Sequence, residues 1–444
     1  MKLPLPPPSL PELFQRHGRH IDRILAHRLG AEPKGVYEHW DHLRHLTPPA
    51  GLDLEQWWLG IKLARQMLGK ELPLRDKNGA PFTFAASDSI QRRLFLVARD
   101  AAGALQGTDA TPSAPMRERY LIRSLMEEAM TSSQLEGAAT TTQVAKEMLR
   151  SGRAPRDYGE RMIANNFQTM RELKRWLGRP LTPDTVFEIH RMLTDGTLTD
   201  PASAGRFRRA DEDIVVQDET GAILHVPPPA AELPQRMQAL CDFANQGDDG
   251  EYFIHPVVRA IVIHFMIGYD HPFVDGNGRT ARTLFYWSML RAGFWMTEYF
   301  SISSILRKAP SQYTRSYLYT ESDDGDASYF LSHQLDVLLQ AIEGVHAYIA
   351  RKQRAQHEAE VLLKPGSRLA RMLNHRQRAV LLNAVKHPGK PFTIAVHQRT
   401  HAIAYDTARS DLLGLAKAKL MRQHKQGKAH VFVARPDLPA ELMR

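Results

Sequence analysis

His271-Pro272-Phe273-Val274-Asp275-Gly276-Asn277-Gly278-Arg279-Thr280-Ala281-Arg282 places a histidine, a carboxylate, a glycine-containing turn and two arginines within one turn and the start of a helix. Glycines at 276 and 278 let the backbone take positive φ and come close to a ligand. A helix start at this point offers unpaired N–H groups and the positive end of its dipole, which together make an anion site. Arg279 and Arg282 are three apart, so they leave the same face of the first helical turn. Arginine suits bidentate phosphate contact. Asp275, beside the turn, suits Mg2+, a hard cation that takes carboxylate and phosphate oxygens. His271 can accept a proton from an incoming hydroxyl near neutral pH. Phe273 is expected to be a buried anchor. Taken singly, each residue has an ordinary structural use: a histidine can end a helix, and two arginines can form surface pairs. Together they read as a site that holds a polyphosphate and a divalent metal and moves one proton.

The rest of the chain bounds this reading. Its 444 residues exceed a typical single domain. With 43% hydrophobic and 24% charged residues it belongs to the soluble globular class. A single cysteine, Cys241, leaves no disulfide framework or cysteine metal site within the chain. That suits a reducing cytosol, and a cytoplasmic location is expected. Residues 1–10 are proline-rich and lack the apolar core of a secretory leader. The longest apolar tract, 257–268, is interrupted by Arg259 and His264. It also falls short of the roughly 20 residues that span a bilayer, so no membrane role is expected. The net charge of +9 is uneven: residues 361–444 hold 16 Lys/Arg against 4 Asp/Glu, whereas the preceding 360 hold 42 against 45. The basic character therefore belongs to the C-terminal segment. It is either a solvated face or a surface for an anionic partner, nucleic acid first.

Periodicity predicts a mainly α chain in three parts: a helical N-terminal region 1–114, a core 115–355 and a C-terminal domain 361–444. In the first part an apolar-periodic run covers 54–68, Asp76-Lys77-Asn78-Gly79 is a turn, and 107–113 is a loop or linker. Helical spacing over 116–149 is ended or broken at Gly137, 158–177 is a further helix, and Thr182-Pro183-Asp184 opens another. Two β-prone runs, 214–217 and 222–226, flank Asp218-Glu219-Thr220-Gly221 and read as a hairpin. Helices resume near Glu232 and at His255-Pro256; the latter is apolar almost all round, hence central, and leads directly to His271. The next starts at Asn277 or Gly278 and runs through Leu290, and 328–350 is a long closing helix. Near the C-terminus, helices are expected over 375–385, 393–400 and 405–416. Short strands at 420–423 and 430–433 flank Lys425-Gln426-Gly427-Lys428.

The pattern His-x-Phe-x-Asp-Gly-Asn-Gly-Arg-x-x-Arg at 271–282 resembles the signature of Fic-domain proteins, with every specified position matched. The resemblance implies an all-α core with a β-hairpin flap. It also implies transfer of AMP from ATP to a Ser, Thr or Tyr hydroxyl of a target protein, and of the chain itself. Carried over by position, it implies His271 as the base and Asp275 on a Mg2+ that bridges the α- and β-phosphates. Gly276, Asn277 and Gly278 would form the anion hole, with Asn277 near the α-phosphate. Arg279 and Arg282 would hold the β- and γ-phosphates, and Tyr313 would lie beside the adenine. Relatives that move UMP, phosphocholine or phosphate share the fold, and no residue here departs toward them.

Ser132-Ser133-Gln134-Leu135-Glu136-Gly137 resembles the inhibitory Ser/Thr-x-x-x-Glu-Gly/Asn motif of many Fic proteins, with Ser132 first and Glu136 fifth. The implied pairing of Glu136 with Arg282 would leave ATP in an unproductive pose, and Glu136 would also orient water for AMP removal. The hairpin, with Val215, Val216 and Gln217, takes the flap position, and its edge would align a target segment by strand addition. The C-terminal helices and basic hairpin resemble a winged helix-turn-helix, with 406–412 as the start of a recognition helix that would bind DNA. The other uses of such a domain are dimerisation, giving a homodimer, and target docking. Two functions follow: an autoinhibited adenylyltransferase, or a DNA-binding transcriptional or toxin-type regulator whose Fic core senses nucleotide. An intact signature that includes His271 favours the first.

Overall fold

Helices α1 (Leu10–His17), α2 (Ile21–Ala26), α3 (Trp40–Leu43) and α4 (Leu54–Met67) open the chain. The computed structural model describes residues 2–102, 114–247, 253–363, 372–426, 429–435 and 438. Asp53 and Gln56 form a capping box that starts α4. The helix buries Trp57, Trp58 and Ile61 against Leu13, Ile24 and Leu43. The turn at 76–79 joins two strands where the sequence reading had helix and loop: β1 (Gly69–Arg75) pairs antiparallel with β2 (Pro81–Ala85). Only Leu72, Leu74, Phe82, Phe84 and Ala85 of this hairpin are buried. Alternation over so few positions is too short to register as a strand period. α5 (Asp88–Ala102) follows, and the expected linker 107–113 lies outside the described residues.

The chain divides into two compact units, Met1–Gln106 with Arg123–Ile342, and Gly107–Ile122 with Glu343–Arg444. α6 (Ala114–Leu135) stops where Gly137 takes a left-handed φ of 91°. α7 (Thr142–Ser151), α8 (Tyr158–Glu172) and α9 (Pro183–Thr194) come next, and Thr182 caps α9 through the Thr185 N–H at 3.2 Å. The hairpin is present but shorter than expected: β3 (Val216–Gln217) pairs with β4 (Ile223–His225), and Val215 lies outside the strand. A bulge between Val216 and Gln217 breaks the register, and the Asp218 carboxylate takes the Thr220 and Ala222 N–H groups into its own turn.

α10 (Leu233–Asn245) precedes α11 (Pro256–Asp270), which is buried at every position from Val257 to Ile267 and packs against α12 (Asn277–Arg291). α13 (Ser303–Leu306), α14 (Pro310–Ser322) and α15 (Ser328–Leu362) complete this series. Among the described residues no helix is long and apolar enough to cross a membrane.

In the second unit, α16 (His375–Lys386), β5 (Pro391–Thr393), α17 (Ile394–His401), α18 (Tyr405–Lys417), β6 (Met421–Gln426) and β7 (Ala429–Ala434) follow one another. The sheet is antiparallel in the order β5-β7-β6. The three-residue β5 was not foreseen, because it has no period of its own and exists through its pairing with β7. Leu381, Val385, Leu412, Leu415 and Phe432 form the core. Buried Asp411 accepts from Arg376 Nε at 2.7 Å, Asn374 Nδ2 at 2.6 Å and His397 Nε2 at 3.1 Å, and so ties the helices together. Gly427 and Lys428 of the expected basic turn lie outside the described residues.

Candidate active site

α11 ends at His271, whose backbone is left-handed (φ 44°, ψ 57°) and whose N–H reaches Ile267 O at 3.1 Å. A non-glycine residue costs about 1 kcal/mol in this region, so the surroundings must hold it there. The ring Nδ1 lies 3.2 Å from Gly268 O. A carbonyl only accepts, so Nδ1 carries the proton and Nε2 keeps its lone pair. Burial pushes the imidazole down to about 4, opposed by the Gly268 contact and Glu136 and assisted by His225 and Arg208. His271 is therefore neutral at pH 7, with a basic nitrogen.

The turn after it closes on itself. Phe273 is fully buried and stacks on the His190 ring at 3.8 Å, as the anchor reading expected. Asn277 Oδ1 accepts the Phe273 N–H at 2.9 Å, and its Nδ2 donates to Phe273 O at 2.8 Å. The Asn277 amide is thus engaged within the turn through one oxygen and one nitrogen contact. Gly276 has φ 85°, and a Cβ there would lie 2.8 Å from Thr194 Cγ2 and 3.3 Å from His190 Nε2. Glycine is required at 276 by conformation and by space alike. Gly276 is also the N-cap of α12 and supplies no side-chain cap, an arrangement of first-turn N–H groups that suits an anion.

A carboxylate occupies that end of the helix. A Cβ built on Gly278 would collide with the carboxylate of Glu136. Glu136 Oε1 also accepts from Arg282 Nη2 at 2.8 Å. Arg282 is fully buried and further donates from Nε to Ser132 Oγ at 2.9 Å and from Nη2 to Ser132 O at 3.1 Å. Burial alone would raise the Glu136 carboxyl, but the Arg282 guanidinium outweighs it and holds the group below its ordinary range. Arg279 is equally buried and donates to Leu193 O at 3.1 Å and to Asp275 Oδ2 at 3.2 Å. Asp275 Oδ1 accepts the Gly276 N–H at 2.6 Å, and the side chain stays 43% exposed. Each Asp275 oxygen accepts one of these donors and the side chain is partly exposed, so the carboxylate would fit one position of a hard cation otherwise held by phosphate oxygens and water.

The structure brings His271, Asp275, Gly276, Asn277, Gly278, Arg279, Arg282, Ser132 and Glu136 together around the start of α12. Tyr313, on α14, joins the edge of this group: its hydroxyl lies 2.7 Å from His264 Nε2, and its ring sits in the field of Arg282 and Glu136. Val216 and Gln217 pair with β4, whose last residue, His225, reaches Tyr269 O at 2.7 Å and Glu321 at 2.7 Å. The flap base is thereby joined to the chain two residues before His271. His190, Arg208 and His225 were missed by sequence reasoning. Each acts on backbone carbonyls of a segment distant in sequence, and no local pattern marks such a role.

Residues 180–289, which hold the flap hairpin, α11, the turn and most of α12, match the model of the Fic/DOC family. Over these residues the chain is similar to Fic domains. It is 38% identical over 114 residues to the protein adenylyltransferase Fic of Nematostella vectensis, covering 26% of this chain and 24% of that protein. It is 34% identical over 111 residues to the protein adenylyltransferase fic-1 of Caenorhabditis elegans, covering 25% of this chain and 20% of the relative. The match therefore spans about a quarter or less of the length of these curated relatives. The crystal structure of a Fic family protein from Desulfovibrio desulfuricans G20 superposes with a TM-score of 0.51 at 17% identity, covering 79% of this chain and 97% of that one. This chain shares that fold.

Proposed function

We propose that this chain is an autoinhibited protein adenylyltransferase that moves AMP from ATP to a Ser, Thr or Tyr hydroxyl of a target protein, and of itself. The observation that carries the reading is the Glu136 carboxylate seated on Arg282 at 2.8 Å, over Gly278 and an uncapped helix start. An anion already occupies the place where a phosphate would bind. With Glu136 withdrawn, the N–H groups of α12, Arg279 and Arg282 grip the phosphates, and Tyr313 borders the base. Asp275 would hold Mg2+, which supplies charge neutralisation for the phosphates. His271 Nε2 takes the proton of the target hydroxyl as its oxygen bonds to the α-phosphorus. The bond to the β-phosphate oxygen breaks and pyrophosphate leaves. The flap edge at Val216 and Gln217 aligns the target backbone.

Intact-mass measurement after incubation with each nucleoside triphosphate tests this. Glu136→Gly is expected to gain one AMP from ATP far faster than the parent chain. His271→Ala in that background is expected to lose about 100-fold or more of the rate. Equal labelling of parent and Glu136→Gly would remove the brake, and a gain of UMP or phosphate would rename the transferred group. Loss of AMP from labelled protein on adding the parent chain, but not Glu136→Gly, would assign Glu136 to removal as well.

A second reading concerns the C-terminal unit. In the described part of 372–435 the acids are Asp406 and Asp411, and Asp411 is buried among Arg376, Asn374 and His397. Asp406 alone is left to face exposed Lys390, Arg399, Arg409, Lys417, Arg422 and Lys425. Such a surface favours a polyanion, and α18 following α17 across a tight turn favours duplex DNA. Salt-dependent binding of a DNA duplex by the full chain, weakened by Arg409→Ala with Arg422→Ala, is expected. Self-association abolished by the same pair would assign the surface to a homodimer instead.

A further inference from the structure

The short segment 205–208 runs beside the signature turn and touches it at several levels. The Gly205 N–H donates to His190 Nδ1 at 2.9 Å, and His190 Nε2 lies 2.9 Å from Asp275 O. Because Nδ1 accepts, Nε2 carries the proton and donates to that carbonyl. Phe207 meets Phe187 edge-on at 4.8 Å, and Phe187 in turn meets Phe273 at 6.3 Å. Arg208 reaches furthest: its backbone N–H donates to Pro272 O at 2.8 Å and its Nε to His271 O at 2.8 Å. Its Nη2 donates to Asp270 O at 3.5 Å and to Pro228 O, just beyond the flap.

Three consecutive carbonyls, 270 to 272, thus accept from one residue. They lie at the C-terminal end of α11, where carbonyls lack helical partners and the dipole is negative. Arg208 is 8% exposed, and no carboxylate among the described residues hydrogen-bonds to it. The nearby Asp270 carboxylate pairs instead with Arg236 at 2.8 Å. Among the described residues the guanidinium thus hydrogen-bonds only to carbonyl oxygens, with the Asp270 charge nearby, and two of those carbonyls belong to His271 and its preceding residue.

We propose that Arg208 is a positioning residue of the transfer reaction: it locks His271 in its left-handed turn, with Nδ1 on Gly268 O and Nε2 free for the hydroxyl proton, and registers the flap exit to that base. The inference rests on the adenylyl-transfer reading. The charged and titratable groups facing His271 are His225, Glu136 and Arg208. The phosphate grips have separate anchors in Leu193, Asp275 and the start of α12. Loss of Arg208 should therefore impair turnover and spare nucleotide binding.

Arg208→Gln and Arg208→Lys, each placed in the Glu136→Gly background, separate these effects. Arg208→Gln is expected to lower kcat for self-labelling by about 100-fold, the scale of a misplaced reacting group, with affinity for MgATP by calorimetry within about threefold of its parent. Arg208→Lys is expected to recover part of the rate, since an ammonium can still reach one of the carbonyls. A kcat within threefold of the parent, or affinity falling in step with kcat, would overturn the proposal. Nitrogen NMR of labelled histidines reads the same lock without turnover. His271 is expected as the Nδ1–H tautomer in the parent and as a tautomer mixture in Arg208→Gln, and an unchanged tautomer would refute the lock. A Glu136→Gly parent that gains no nucleotide but shows this tautomer change would remove the adenylyl-transfer reading and leave the lock standing.

Discussion

Arg282 is held by a carboxylate and a hydroxyl of its own chain, and under the proposed function the phosphate of a nucleotide would compete for the same guanidinium. Glu136 supplies the charge, and Ser132 supplies an acceptor for Nε at 2.9 Å. Ser132→Ala would leave that buried donor unpaired, at a cost of about 1–3 kcal/mol to the braked arrangement. Self-labelling of Ser132→Ala should then fall between that of the parent and Glu136→Gly; a rate no higher than the parent's would show that Ser132 takes no part in the brake. His271, held at about 4 by burial, stays unprotonated well below the usual histidine range. The Glu136→Gly variant should accordingly keep its rate from pH 7 to pH 5, where an ordinary imidazole would already have lost the lone pair. The signature residues were legible because their types and spacing are local. The inward-turned amide of Asn277 was not, since its partner is the Phe273 backbone and only the closed turn reveals it.

At the scale of elements, α6 leads directly into the Glu136–Arg282 contact and is itself fastened. Buried Glu128, two turns before Glu136, accepts from Tyr286 Oη at 2.9 Å, Ser301 Oγ at 2.7 Å and the Ser303 N–H at 3.2 Å. Glu128→Ala strands these donors and should lower stability by about 3 kcal/mol in urea unfolding. It should also raise self-labelling with Glu136 still in place, because the helix end is no longer fixed against α12. A variant as stable as the parent would show that water satisfies those donors. The helices were readable from 3.6-residue periodicity, caps and the glycine at 137. The β1–β2 hairpin and β5 were not, since two or three alternating positions carry little signal and each strand is made by its partner. The flap was seen but overextended, because a bulge and the Asp218 turn end its pairing early.

Across the whole molecule, burial is the common cause of shifted imidazoles. His39, His190, His271 and His333 are each held at about 4, and burial also pushes His264 well below its ordinary value. The unfolded chain takes up protons on these groups below about 6.5, and the folded chain does so only near or below 4. Stability is therefore full above about pH 6.5 and falls as the pH drops from there toward 4. Buried Asp270, pushed up to about 6, and Asp326 work in the other direction but are fewer. The urea midpoint should drop between pH 7 and pH 5, and an unchanged midpoint would contradict this balance. By itself the sequence determined the helical class, the signature turn and the placement of basic charge, because periodicity, spacing and composition are properties of neighbouring residues. The Glu136–Arg282 pair, 146 residues apart, was expected only through the resemblance and not from any local pattern, and the tertiary structure alone decided that Arg208 and His190 hold the turn from outside it. Such partners are selected by how the helices pack, and chain distance carries no record of that.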